Sequence, residues 1–326
     1  MRLRITNMAE VDIGLFDFDF DTTFALFVIN AHRQVYLRYG ARTDEGAETM
    51  LSTLSVRKAL ERGLAMHAEH LAGKLDLPPA PEPRPAQSFP NVRKVVQKNQ
   101  CVHCHQVGEG HALELIGRRD FDKKTMPWVF PDPARLGLGI DPDDGILLAT
   151  TGGSAAAAGI RAGEILQEVG ARRVSTFADV QHSLHHLPLA AESVEITTDR
   201  ATRKVSLPPH WRVTNINRRS IGHRMTPFPE FWGKALDAAE KAELDLDEGG
   251  FATRVTKFWT NTNGKRAGLR EGDVVFEVNG VKESPLAQNA MIYIRTEFDT
   301  GDEIRVRYLR SGKPSEARFK LRAKPW

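Results

Sequence analysis

The sequence predicts a multidomain fold in which an α/β segment precedes a mainly β region. Three observations support this fold class: the chain has 326 residues, strand and helix patterns follow one another before residue 73, and an internal repeat occupies the second half. At about 150 residues per domain, this length suits two to three domains. The patterns divide the chain into segments with these boundaries: 1–73, 74–90, 91–133, 134–209 and 210–326.

The composition is typical of a globular chain and argues against several functional classes. Hydrophobic residues make up 41% and charged residues 27% of the chain, which excludes disorder over its whole length. The net charge of +3 creates no field strong enough to predict a nucleic-acid partner. The longest apolar run, residues 24–29, is far too short to cross a bilayer, so no membrane span is expected.

The first segment, residues 1–73, is predicted to be an α/β piece. Residues 2–6 alternate in polarity and predict a short strand. The apolar run at 22–30 suits a central strand, and residues 35–40 predict a second strand that pairs with it as a hairpin. Leucine and methionine then recur near helical spacing, which predicts a helix over about residues 47–72.

A proline-rich stretch separates this piece from a small cysteine-containing segment. Residues 75–90 hold six prolines, which remove backbone donors and favour extended conformations, so a semi-rigid linker is expected at 74–90. The following segment, 91–133, is too short to bury an ample core of its own. We therefore expect something other than apolar burial to organise it.

An offset of 109 residues reveals the internal repeat, in which AGIRAGEILQEVGA at 158–171 aligns with AGLREGDVVFEVNG at 267–280. In each copy a short helix is expected to end at a glycine with left-handed angles, and a second glycine then turns the chain into an apolar strand. These glycines are Gly159 and Gly163 in the first copy and Gly268 and Gly272 in the second. The repeat predicts two copies of one domain.

The first copy follows the stretch LGLGID at 136–141, and together they resemble the PDZ domain in its bacterial arrangement. The resemblance implies a loop whose backbone N–H groups converge on the terminal carboxylate of a protein or peptide partner, which then adds a strand to the sheet. The loop residues would be Leu136, Gly137, Leu138, Gly139 and Ile140. In the alternative interpretation, both copies only pack against their neighbours. The second copy has no such loop upstream of Phe251, so peptide capture there is doubtful.

Because PDZ domains often accompany serine proteases, Ser154 in GGSAAAAG is the candidate nucleophile to weigh. It lacks the glycine two residues later that a nucleophile elbow carries, and its place before an alanine run predicts a helix N-cap instead. The sequence therefore argues against a protease.

The pentapeptide CVHCH contains both cysteines of the chain, Cys101 and Cys104, followed directly by His105. This spacing suits covalent attachment of haem c, in which each sulfur bonds the porphyrin and the adjacent imidazole binds the iron. Met126 is the predicted ligand on the opposite side, with His111 as a weaker candidate. In the alternative interpretation, Met126 packs beside Trp128 and Phe130 and the sixth position of the iron is open.

Three alternatives remain open at CVHCH. A structural zinc would draw on the two thiols with His103 or His105 and His111, although such tight spacing makes tetrahedral geometry awkward. A redox dithiol should begin a helix directly after a strand, and the preceding VVQKNQ is a poor strand. A simple disulfide is the third alternative.

Across nearly the whole chain, the order of parts resembles a family of bacterial thioredoxin-like/PDZ (seleno)proteins. The matching stretches are RLRITNM, LFDFDFDTTFALFVIN, VYLRYG, CVHCHQV, LGLGID and the two Ala-Gly repeats. The resemblance implies that the first segment is the C-terminal half of a thioredoxin-like domain, with its cysteine or selenocysteine centre upstream of Met1. Two departures weaken thiol catalysis by this segment: no cysteine precedes Cys101, and Thr22-Thr23 replaces the cis-proline.

Haem attachment normally takes place outside the cytoplasm, yet residues 1–12 contain no export signal. We expect a periplasmic or exported protein whose signal lies upstream, and a cytoplasmic one if Met1 is the true start. The functional hypotheses are an exported redox or scaffold protein carrying haem, a thiol or selenol oxidoreductase, and a scaffold without redox chemistry. The three histidines of QHSLHHL are expected to form a polar helix face, on which only His182 and His186 lie together.

Overall fold

The computed structural model describes residues 2–217 and 219–323. The chain forms two compact units: Met1–Arg118 with Trp128–Thr214, and Arg119–Pro127 with Asn215–Trp326. The architecture is mixed α/β with several small sheets, all of whose paired strands are antiparallel in the described part of the chain.

The first unit begins with the predicted hairpin and helix: β1 (Leu26–Ile29), β2 (Val35–Tyr39) and α1 (Thr53–Leu71). The helix starts later than expected because the Ser52 hydroxyl accepts from the Ser55 N–H and caps it there. The strand predicted at 2–6 is wrong, since these residues form no secondary structure and are exposed. Alternation alone does not make a strand where neither face is buried.

Two further helices, α2 (Pro90–Asn99) and α3 (Cys104–Arg118), follow the proline-rich stretch. The C-terminal part of that stretch is not an isolated linker, because backbone hydrogen bonds join residues 84–87 to residues 9–13. The core around α2 and α3 is shared with the beginning of the chain and includes Met8, Phe18, Ala86, Phe89, Val92, Val102 and Val107. Apolar burial therefore does organise this segment, contrary to expectation, with side chains that the N-terminal residues supply.

The first repeat copy completes this unit. Its elements are β3 (Leu138–Ile140), β4 (Leu148–Thr151), α4 (Gly153–Ala157), β5 (Leu166–Val169), β6 (Arg172–Arg173), α5 (Phe177–His185), β7 (Ser193–Thr198) and β8 (Thr202–Ser206). Strands β3 and β4 pair, and the other four form a sheet in the order β6-β5-β7-β8.

The second unit contains the second repeat copy. Its elements are α6 (Ser220–Arg224), β9 (Trp232–Ala235), α7 (Ala238–Glu243), β10 (Thr253–Lys257), α8 (Asn263–Arg266), β11 (Val274–Val278), α9 (Ala290–Glu297), β12 (Glu303–Arg310) and β13 (Lys313–Lys320). The sheet has the order β13-β12-β11-β10-β9.

The repeat is confirmed in element order and in backbone angles. In both copies a short helix ends at a glycine of positive φ, and a second one precedes the strand. The φ values are +84° and +84° at Gly159 and Gly163, and +102° and +90° at Gly268 and Gly272. The acid after the second glycine is buried in each copy and pairs with an arginine of the final hairpin: Glu164 with Arg203, and Asp273 with Arg310.

Helix α1 is fastened to the first repeat copy by Asp144. Its carboxylate accepts from Lys58 Nζ and Arg62 Nη2, both at 2.8 Å. Burial opposes ionisation of this carboxyl, but the hydrogen bonds from Lys58 and Arg62 outweigh it and lower its pKa from 3.8 to about 2. The stabilisation is therefore complete above pH 4 and is lost as the pH falls toward 2.

We expect Asp144→Asn to lower the free energy of unfolding by about 1–2 kcal/mol at pH 7, because two cations lose their acceptor charge. The variant should also lose less stability than the wild type between pH 4 and pH 2. Urea unfolding followed by circular dichroism across this pH range measures both effects. Asp143→Asn is the matched control, since Asp143 is an exposed neighbour. Equal losses in the two variants would contradict the role of Asp144.

Candidate functional site

The CVHCH stretch lies at the turn between α2 and α3. Helix α2 ends at Asn99 and is capped by Gln100, which adopts left-handed angles, and α3 begins at Cys104. Val102, between the two cysteines, is fully buried and anchors the turn. Its N–H donates to Asn7 Oδ1 at 3.0 Å, and its carbonyl accepts from the Met8 N–H at 2.9 Å. The N-terminal residues thus hold the backbone of the motif in place.

No disulfide joins the two cysteines, and both are half-buried. Cys101 Sγ lies 4.0 Å from the Thr6 carbonyl oxygen, whereas Cys104 packs against the apolar core that α2 and α3 share. Burial raises the pKa of the Cys104 thiol. A raised pKa keeps this sulfur protonated at neutral pH, so the site does not favour Cys104 as an attacking thiolate.

His105 lies on the first turn of α3 with its side chain 49% exposed. Its Nδ1 lies 3.1 Å from Glu109 Oε1, one helical turn further on. Since a carboxylate only accepts, Nδ1 carries the hydrogen of this bond, which leaves the Nε2 of a neutral ring with a free lone pair. The arrangement orients the imidazole for a metal ion.

The other predicted iron ligands are placed as follows. Met126 belongs to the second unit, and its sulfur accepts from the Asp122 N–H at 3.3 Å. His111 lies further along α3 and stacks on Phe89 with ring centroids 4.7 Å apart. Burial lowers the pKa of His111, so this ring is neutral at pH 7.

The predicted carboxylate-binding loop forms the turn into β3. Gly137 has a φ of +83°, and a Cβ built there would lie 1.9 Å from the Gly152 carbonyl oxygen. A Cβ on Gly139 would lie 1.9 Å from Thr150 Oγ1. The backbone of the next turn therefore requires a glycine at position 137, whereas the contact at Gly139 is with a threonine side chain. The side chains of the other three loop residues are buried in the core: Leu136, Leu138 and Ile140.

Residues 38–44 run along α5 toward this loop. The sequence alone does not indicate this contact. The Arg38 N–H donates to Asp179 Oδ1 at 3.0 Å, and its carbonyl accepts from the Thr176 hydroxyl. Further along, the Gln181 amide donates to the Arg42 carbonyl at 2.8 Å. Ala41 and Met50 join the core of the first repeat copy. We refer to residues 38–50 as the covering segment.

Ser154 lies inside α4, whose N-cap is Gly152. The prediction that the serine itself caps this helix is wrong, because the helix begins at Gly153, two residues before the alanine run.

His182 on α5 and His186, which caps the C-terminus of this helix, project to one side, as predicted. They meet a partner that the sequence did not reveal. Asp17 Oδ2 lies 3.0 Å from His182 Nε2 and 2.6 Å from His186 Nε2. Burial lowers the pKa of His182 to about 4. Burial opposes ionisation of Asp17, but hydrogen bonds from the two imidazoles hold its pKa well below the ordinary value.

No family model and no curated protein matches the chain. Three solved structures illustrate what it resembles. An aminopeptidase N family protein from Idiomarina loihiensis is 14% identical, with a TM-score of 0.23 over 29% of this chain and 14% of that one. The HtrA-type protease AlgW with decapeptide is 14% identical, with a TM-score of 0.26 over 51% of each chain. The photosystem II D1 C-terminal processing protease is 14% identical, with a TM-score of 0.24 over 33% and 26%.

The chain thus spans about half or less of the length of these structures. Similarity at these TM-scores carries no conclusion about activity or ligand. Among residues 2–217 and 219–323, no helix combines the length and the apolar character needed to cross a membrane.

Proposed function

We propose that the chain is an exported redox protein that carries haem c at CVHCH. The observation that carries this proposal is the hydrogen bond between His105 Nδ1 and Glu109, which leaves Nε2 free on a half-exposed ring that directly follows Cys104 in the sequence. Cys101 and Cys104 would hold the porphyrin through thioether bonds, and His105 would bind the iron. When bound, the haem supplies one-electron redox chemistry.

The residues of the chain contribute position and orientation to this site. Asn7 and Met8 fix the backbone around Val102, and this fixes the directions of the flanking cysteines. Glu109 would hold the imidazole in one orientation, as a carboxylate behind a metal-binding histidine does.

We further propose that the two repeat copies are PDZ-like domains and that the first recruits the C-terminus of a partner protein. The glycine-rich turn at residues 136–140 and the adjacent α5 support this assignment. The covering segment already lies along α5 in the direction of the turn. A partner peptide would therefore have to displace it.

The test is expression of the full chain behind an export signal in a host that matures c-type cytochromes. We expect a coloured protein with a Soret band and a mass increase of one haem that survives denaturation. Cys101→Ser/Cys104→Ser should remove the colour completely, while the neighbouring His103→Gln serves as the matched control and should retain it. A colourless wild type would refute haem attachment, and a reducible dithiol in its place would support the oxidoreductase hypothesis.

A further inference from the structure

Asp17, His182 and His186 form a cluster of potential metal ligands within the first unit. One ligand atom from each side chain lies within 4.8 Å of the others, and in the described part of the chain no other set of three histidine, cysteine or acidic residues does so. The cysteines and histidines of CVHCH are thus not brought together in this way. The two imidazole rings stand with centroids 4.4 Å apart.

The geometry of α5 explains why the two histidines converge. Residues four apart lie on the same helix face, so His182 and His186 project their rings to one side. Both present Nε2 to the same carboxylate oxygen. A histidine pair at this spacing with a carboxylate from elsewhere in the chain is a ligand set used for divalent transition metals.

The separations are compatible with an ion after small adjustments. Ligand atoms of a zinc ion stand about 2.0–2.2 Å from the metal. Rotation of the partly exposed His186 ring opens the 2.6 Å contact to Asp17, and each imidazole moves its hydrogen to Nδ1. Three protein ligands leave a further position for water.

Neighbouring residues hold Asp17 in place and balance the positive charge of Arg38, which would otherwise repel a metal ion. Its backbone carbonyl accepts from Arg38 Nε at 3.2 Å, while the Arg38 guanidinium also faces the buried Asp179 at 3.8 Å. The third histidine of the stretch is turned away, because His185 stacks on Phe130 with ring centroids 4.3 Å apart. The Arg38 charge beside the cluster thus has a carboxylate partner of its own.

We propose that Asp17, His182 and His186 bind a divalent transition metal ion of the zinc class, with water completing its coordination. The ion would join two parts of the first unit that are 165 residues apart in sequence. Its consequence would be a metal-dependent attachment of the N-terminal residues to α5, independent of what CVHCH carries.

Zinc titration of the full chain tests this proposal in a Cys101→Ser/Cys104→Ser background, where the thiols cannot contribute. We expect one zinc ion per chain by calorimetry and a higher melting temperature with zinc than with a chelator. His186→Gln and Asp17→Asn should each weaken zinc binding by at least about tenfold. His32→Gln, which removes an exposed histidine outside the cluster, is the matched control and should bind as before.

Two results would overturn the proposal: no saturable zinc binding by the thiol-free chain, or equal affinity in His186→Gln and His32→Gln. His186 is partly exposed, so its substitution should leave the fold intact, which the circular dichroism spectrum verifies. Cobalt(II) provides a second readout, since visible absorption should develop in the thiol-free chain and be lost in His186→Gln.

Discussion

Gly137→Ala is expected to lower the free energy of unfolding of the first unit by about 3 kcal/mol or more, through steric overlap added to backbone strain. The new Cβ would lie 1.9 Å from the Gly152 carbonyl oxygen, which itself belongs to the turn leading into α4. Neither side of this contact is a flexible side chain. The turn that presents the predicted carboxylate-binding loop would therefore have to rearrange.

Gly163→Ala separates the two contributions, because Gly163 has nearly the same φ, +84°, but a Cβ added there would meet no atom within 4 Å. We expect it to cost only about 1 kcal/mol, from strain alone. Urea unfolding of both variants, followed by tryptophan fluorescence, measures the difference. Similar losses in the two variants would show that backbone strain, and not close packing, explains the glycine at position 137.

Arg203→Met is the substitution with the next largest expected effect. The Glu164 carboxylate is fully buried and accepts from Arg203 Nη1 at 2.9 Å and from the Thr198 hydroxyl at 2.6 Å. Without the guanidinium, a buried negative charge loses its cationic hydrogen-bond donor, and we expect a loss of about 2–3 kcal/mol. Methionine keeps the aliphatic stem, so packing changes little.

The control for charge alone is Arg57→Met on the exposed pair between Arg57 and Glu61, which stand 3.7 Å apart on α1. It should change the free energy of unfolding by less than about 0.5 kcal/mol. Thermal unfolding at pH 7 compares the two variants. If Arg203→Met is as mild as Arg57→Met, the pair with Glu164 contributes no more than a surface ion pair.

The parts of the fold that sequence reasoning predicted correctly depend on local physics. The hairpin of β1 and β2 follows from two apolar runs separated by a short turn. The repeat follows from glycines whose positive φ values are set within a few residues, at Gly159 and Gly268 for example. Such signals lie in adjacent residues and need no knowledge of the tertiary structure.

The features that the sequence did not reveal depend on contacts between distant residues. Residues 2–6 alternate like a strand, yet whether a strand forms depends on a partner that tertiary structure does not supply. The sequence correctly places the two histidines on one side of α5. It does not reveal Asp17, which contacts them although it lies 165 residues earlier in the sequence. The covering segment likewise meets α5 only after folding.

The covering segment has a consequence for the peptide binding that we propose beside α5. Arg42 and its neighbours contact the helix within the same molecule. An incoming peptide would therefore compete with an intramolecular segment whose effective concentration does not change on dilution. The apparent dissociation constant equals the intrinsic one divided by the fraction of uncovered molecules. If about 1% of molecules were uncovered, the peptide that we propose would bind roughly a hundredfold more weakly, and any change that loosens residues 38–50 would strengthen its binding.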